Sequence, residues 1–466
     1  MERSRTAITG GRLVTESAVF EATILVDDTG SVSGVIDPSG SVEAEEMVDA
    51  AGLLVFPGGV DSHTHFNDPG LTESEDFFTG TAGAAAGGYT TVLEMPQTQP
   101  LVDSVATFRD KLEAVSPKAV VDFGLYGALV PGNAGDVDAL RDMADAGAIA
   151  LKGFVCDTPE MPTLSEADLA TGCRNAREVR LPVAVHCEFQ PVMDRATEAL
   201  RRTGVPDAYA VAGSHPLEAE QEAVRMALEV AAANRGALHL VHMSDPTTVA
   251  LATQAKLAGV DVSVETCPHY LTLTRDALRE TGGWGLCFPP LRTSEAVDGL
   301  WSSLAAGLID NVGSDHCAYT HDQKVTKDPW EILPGINGVQ VSLPVLVHEA
   351  MRRGVPLPAV ARAFSAGPAR RFSLAPRKGT IAPGSDADLV FVDPESSFTV
   401  RAAELFTRCP GTVYEGRTFD ARVRRTMVRG RTVYLDDGAP TIAVDPGFGR
   451  FLEGNVMREQ RLSAIG

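Results

Sequence analysis

His63 and His65 stand two residues apart in the apolar stretch GVDSHTHF. Side chains alternate along an extended strand, so both imidazoles face the same way, as two ligands of one metal would. Taken alone, the pair reads equally well as two hydrogen-bonded polar residues at a strand end. Lys152 lies in AIALKGFV, an apolar run where an unpartnered ammonium is costly to bury. An ammonium has no lone pair for a metal. Two nearby cations would favour the neutral amine, which could capture carbon dioxide as a carbamate whose two oxygens bridge both metals. The alternative is a lysine stem lying along the strand with its head in water.

His186 ends LPVAVHC and His242 nearly ends ALHLVHM. Imidazole suits zinc and related borderline metals. Asp315, in NVGSDHCAY, could bind a metal and reach a shared water, which makes it the candidate general acid and base. His239 is three residues before His242 and is expected on the opposite side of its strand, as a packed or supporting residue. Asp310 is expected at the far end of the Asp315 strand, in a structural role. The chemistry these residues suggest is hydrolysis by water activated between two divalent cations, zinc first, with manganese, cobalt or iron as alternatives.

Such ligands need a scaffold that brings distant segments together. Eight apolar strands separated by Ala-rich helical stretches can be counted: 59–66, 90–96, 119–130, 148–155, 181–187, 237–243, 260–267 and 308–316. This alternation predicts an α/β fold, a (β/α)8 TIM barrel over 56–376, in which catalytic residues gather at the C-terminal ends of the strands. Both chain ends, 1–55 and 377–466, alternate short β-type runs with Gly, Asp and Ser turns, and predict a smaller β-sandwich domain followed by a C-terminal tail.

The chain has 466 residues, 62 acidic against 40 basic, for a net charge of -22. Repulsion of this size opposes nucleic-acid or anionic-membrane partners and points to a small-molecule substrate. The seven cysteines are scattered without CxxC spacing, and no window approaches the ~18 apolar residues of a membrane span, so a cytoplasmic location is expected.

The HxH pair, the strand lysine, the two further histidines and the final Asp jointly resemble the binuclear amidohydrolase superfamily, specifically the cyclic amidohydrolases. The segments FPGGVDSHTHFNDPG, ETCPHYLTLT, CFPPLR, GSDH and KGTIAPGSDADLVFVDP carry the resemblance along almost the whole chain. HTHFNDPG looks like allantoinase, because dihydroorotases carry an Arg where Asn67 stands. The resemblance implies opening of a ureide ring, as in purine catabolism, with two divalent ions bridged by an N6-carboxylated Lys152, in a homotetramer. The alternatives are a hydantoinase or dihydropyrimidinase, then a dihydroorotase or a non-catalytic relative.

The chain departs from the allantoinase pattern where a substrate would be read. Leu71 follows Pro69-Gly70 in place of Arg, EMPQTQP offers Gln97 and Thr98 instead of Asn, and SDHCAYT is closer to hydantoinases. Candidate substrate contacts are Asn67, Gln97, His269, Arg292 and Asn337. Arg292 could instead hold its loop against the barrel through an ion pair.

Overall fold

The computed structural model describes residues 4–204 and 207–454. The end of the expected C-terminal tail, 455–466, lies outside the described residues. A sheet of nine parallel segments occupies the middle of the chain: Gly59–His65, Tyr89–Glu94, Asp122–Ala128, Ala150–Phe154, Val183–His186, Leu238–Leu240, Val262–Thr266, Asn311–Val312 and His316–Cys317. The last two are halves of one strand. Asn311 pairs with Glu265 of the seventh strand, whereas His316 pairs with Thr64 of the first. The split strand therefore closes the sheet into an eight-stranded barrel. A helix follows every strand, from Phe77–Ala86 after the first to Ser342–Arg353 after the eighth. With the lumen on one side and helices on the other, the strands are buried on both faces, which is why they read as unbroken apolar runs.

Two further sheets come from the chain ends. One orders Val32–Ile36, Thr23–Val26, Ser4–Thr9 and Ala44–Asp49; the other orders Thr441–Ile442, Arg431–Leu435, Thr418–Val428, Leu389–Thr399, Leu54–Pro57, Arg12–Val14 and Val19–Glu21. Alternation sorts their side chains. Val55, Leu389 and Phe391 pack with Ile8, Ile24 and Val32 between the two sheets, whereas Leu54, Phe56, Val390 and Val392 join the barrel's outer core. One sheet thus serves as the sandwich's inner wall and as its seat on the barrel.

The C-terminal segment runs back under the barrel floor. Phe123 N–H donates to Arg450 O (3.0 Å) and Leu452 N–H to Phe123 O (2.7 Å). Nearby, the buried Lys378 ammonium lies 2.6 Å from Asp122, 2.7 Å from Asp388 and 2.9 Å from Asp386, and Arg429 also pairs with Asp122. These cations hold together carboxylates from the third barrel strand and the C-terminal region, which would otherwise repel in a low dielectric.

Two strand ends differ from the expected ones. The sixth strand stops at Leu240, and His242 lies beyond it with φ of +43°. Asp315 does not close an unbroken eighth strand; it sits in the interruption, with φ of +46°. Strict alternation consequently fails for both. No helix among the described residues is long and apolar enough to cross a membrane.

Candidate metal centre and active-site cavity

The barrel's C-terminal end opens into a cavity of about 650 Å³, a size that suits a small molecule. His63, His65, Lys152, His186, His242 and Asp315 all line it. Asp315 Oδ1 lies 3.3 Å from His63 Nε2 and 3.6 Å from His65 Nε2. Lys152 Nζ is 3.4 Å from His63 Nε2, and His186 Nδ1 is 3.0 Å from His242 Nε2. The His63 ring centroid is 5.2 Å from that of His65 and 5.3 Å from that of His242. Six side chains spread over more than 250 positions of sequence thus converge on one small volume.

The break in the eighth strand aims Asp315. Ser314 N–H donates to Asp61 Oδ1 (2.8 Å), and a Cβ at Gly313 would fall 2.8 Å from Glu265 Oε2, so the chain can turn there only without a side chain. Asn67, His242 and Asp315 all have left-handed backbones, at φ of +60°, +43° and +46°. Such strain, about 1–3 kcal/mol each, clusters at functional sites.

Behind the candidate ligands stand two carboxylates. Glu265, fully buried in the seventh strand, accepts from His63 Nδ1 (2.8 Å), His239 Nε2 (3.2 Å) and Ser62 Oγ (2.5 Å). Glu188 accepts from His186 Nε2 (2.8 Å) and from His215 Nδ1 (3.0 Å). Burial opposes ionisation of both, but the ring N–H groups outweigh it and hold each well below the usual carboxylate range. Their effect on the rings is to fix the tautomer. The Nδ1 proton of His63 is committed to Glu265, which leaves Nε2 as a lone pair toward Asp315; the Nε2 proton of His186 is committed to Glu188, which leaves Nδ1 free toward His242.

Burial and the neighbouring Lys152 push His63 down to about 4, and burial takes His242 well below its ordinary value, so both rings are neutral near pH 7. Burial likewise lowers Lys152 to about 8, which favours a nucleophilic amine. His242 Nδ1 is buried without a partner. Neutral imidazoles, a carboxylate and an amine with few other partners form a donor set that fits borderline divalent ions. His63, His65 and Asp315 already bring their ligand atoms within 4.8 Å of one another.

The candidate substrate contacts divide. Asn67 and Gln97 line the cavity, whereas His269, Arg292 and Asn337 are not among its lining residues. Arg292 is committed elsewhere: it donates to Ser244 Oγ (2.9 Å), His215 O (2.9 Å) and Glu220 (3.2 Å), the loop-holding arrangement. Asn337 donates to Cys409 O (3.1 Å) and Gly411 O (3.3 Å). His269 is buried beside Asp315, its Nε2 without a partner, and burial lowers it to about 4.

His239 is packed and supporting, as expected, but not on the opposite side from the candidate ligands. It is linked through Glu265 to the His63 side of the barrel, because His242 has left the strand and the spacing of three no longer separates their faces. Glu188, His215 and Glu265 were not singled out from sequence. Two signals pointed to the glutamates, a carboxylate within the apolar run VSVET and one two residues after His186 in VHCEF, and none to His215. Aromatic rings complete the walls. Phe154 stacks on His186 with centroids 4.8 Å apart, and Phe288 stacks on His215 at 3.5 Å.

Comparison with known proteins agrees with this architecture. Residues 54–433 match the model of the amidohydrolase family. An allantoinase of Solibacter usitatus is 37% identical over 438 residues, 93% of this chain and 94% of the relative. One of Rubrobacter xylanophilus is 41% identical over 420 residues, 88% and 91% of the two chains. Among solved structures, an L-hydantoinase (dihydropyrimidinase) from Arthrobacter aurescens superposes with a TM-score of 0.92 at 32% identity, covering 97% of this chain and 100% of that one. Split barrel, converging ligands and full-length similarity lead to one conclusion: this chain belongs to the amidohydrolase family.

Proposed function

We propose that this protein hydrolyses the amide bond of a cyclic ureide of the allantoin type, using two divalent ions, zinc first, held by His63, His65, His186, His242, Asp315 and a carboxylated Lys152. The observation that carries this reading is the convergence of those six residues in one cavity, on a chain similar along most of its length to the two allantoinases above. A second reading, hydrolysis of hydantoins or dihydropyrimidines, is favoured by the likeness to the L-hydantoinase structure. The barrel at 56–376 is the catalytic unit, with 1–55 and 377–466 as its companion domain, in a cytoplasmic tetramer.

The bound ions would lower the pKa of a shared water toward neutrality and polarise the scissile carbonyl. The chain's own residues do the rest. Burial lowers Lys152 to about 8 and so raises the fraction present as free amine, which adds to carbon dioxide and loses a proton to give an anion with two oxygens. Asp315 takes the proton of the attacking water and delivers it to the departing ring nitrogen. Water oxygen bonds to the ring carbonyl carbon, the C–N bond breaks, and the ring opens to a carboxylate and an N–H arm. Asn67 and Gln97 contact the substrate from the cavity wall.

The test is to incubate metal-replete protein with allantoin, hydantoin, dihydrouracil, dihydroorotate and simple cyclic imides, following each by mass for the gain of one water. Allantoin is the expected substrate; turnover of hydantoin without allantoin selects the second reading, and no turnover of any ring rejects both. A further expectation concerns Glu265. Glu265→Gln, which frees the His63 tautomer, should weaken metal retention about 10–100-fold, measured by metal analysis after dialysis against graded chelator. Undiminished retention would rule out this supporting role.

A further inference from the structure

Gln97 follows the second barrel strand and is only 7% exposed, yet its Oε1 has no hydrogen-bond partner. Its Nε2 donates to Glu160 Oε2 (3.4 Å), a residue of the loop after the fourth strand. The contact matters for orientation. A carboxylate accepts only, so it draws the NH2 of the amide toward itself and leaves the carbonyl oxygen buried and unpaired in the wall of the cavity that both residues line. A buried acceptor held in this way is completed by a donor on the ligand.

The charges around it are one-sided. Lys152 is the single Lys or Arg among the cavity's described lining residues, against Glu73, Asp157, Glu160, Glu188 and Asp315. Glu188 is satisfied by two histidines, and Asp315 faces the candidate metal ligands. The remaining three are exposed and form no ion pair with Lys or Arg among the described residues. Lys152 apart, no lining Lys or Arg can therefore pair with a carboxylate on the substrate, and the three exposed carboxylates would repel it.

We propose that Gln97, oriented by Glu160, reads an N–H on the arm of the ring, and that the Glu73, Asp157 and Glu160 carboxylates exclude rings bearing a carboxylate and help expel the one that hydrolysis creates. This rests on the cyclic-amide reading above and names its substrate class: a ring with an uncharged, hydrogen-bond-donating arm. Substrate enters neutral and product leaves anionic, so one field admits the first and drives out the second.

The test compares kcat/KM of the metal-replete enzyme for allantoin, with its N–H arm, for unsubstituted hydantoin and for hydantoin-5-acetic acid. Wild type should prefer allantoin over the carboxylate ring, with the gap narrowing at high salt because exposed charges are screened. Gln97→Leu should lower the allantoin-to-hydantoin ratio by about 10-fold, as expected when a substrate donor loses its buried acceptor, and Gln97→Asn should restore part of it. Glu160→Gln should raise the rate with hydantoin-5-acetic acid and tighten inhibition by the ring-opened product. An unchanged ratio in Gln97→Leu, or a carboxylate ring used as well as allantoin, overturns the proposal while leaving cyclic-amide hydrolysis intact. Wild-type protein that opens none of the three rings overturns that underlying reading, and this proposal with it.

Discussion

Lys152→Ala is expected to abolish turnover and to deplete the protein of metal. In the proposed centre the carboxylated lysine would join the two halves: its Nζ is 3.4 Å from His63 Nε2, while its strand neighbour Phe154 stacks on His186. Loss of the bridge removes several kcal/mol of transition-state stabilisation, a fall in kcat of roughly 10³-fold or more. A short-chain carboxylic acid, diffusing into the space left by the side chain, should return part of both metal content and rate. Reloading of stripped wild-type protein should likewise depend on added bicarbonate, since the proposed carbamate would have to form on the amine. Metal content unchanged in Lys152→Ala, read by elemental analysis, would reject the bridging role.

The second large effect concerns Asp315. Burial would raise its pKa, but His63 and His65 beside it outweigh that and hold it down to about 2, so it is a carboxylate throughout the neutral range. Asp315→Asn keeps the shape and removes the basicity. The expected result is a fall in kcat of about 10²–10⁴-fold with KM nearly unchanged, because the lost interaction belongs to the transition state. Steady-state kinetics on metal-replete variant protein decides it. A variant that keeps most of its rate would exclude Asp315 as the proton shuttle.

Much of the fold was legible because each barrel strand is a short apolar run followed by a helix-forming stretch, and that rhythm survives in linear sequence. The ligand set was legible for the same reason. A His, Lys or Asp in or just beyond an otherwise apolar strand contradicts its surroundings, and six such contradictions spread over five strands of one barrel have few explanations. The limit lay in the local rule used to assign faces. Alternation is reliable inside a strand, as at His63 and His65, but His242 and Asp315 have left-handed backbones beyond or between strand segments. There the chain's direction is decided by contacts such as Ser314 N–H to Asp61 and the close approach of Gly313 to Glu265.

Substrate contacts were the least legible. Arg292 and Asn337 carry the right chemistry for gripping a ligand, yet tertiary neighbours use up their donors: Ser244, His215 and Glu220 for the first, Cys409 and Gly411 for the second. Gln97 and Glu160 are 63 positions apart and gain meaning only because the loops after the second and fourth barrel strands meet over the cavity.

By itself, then, the sequence determined the alternating layers, the identity of the candidate ligands and the acidic balance of the chain, all properties carried by residue type and short-range period. Only the tertiary structure decided which polar groups are already satisfied, that Glu265 and Glu188 fix the histidine tautomers, and that the chain's end closes the barrel floor around Lys378. The His63–Glu265 and Lys378–Asp122 pairs join residues more than 200 positions apart, and the competition for each donor and acceptor, the local His186–Glu188 pair included, is resolved only once the chain has packed.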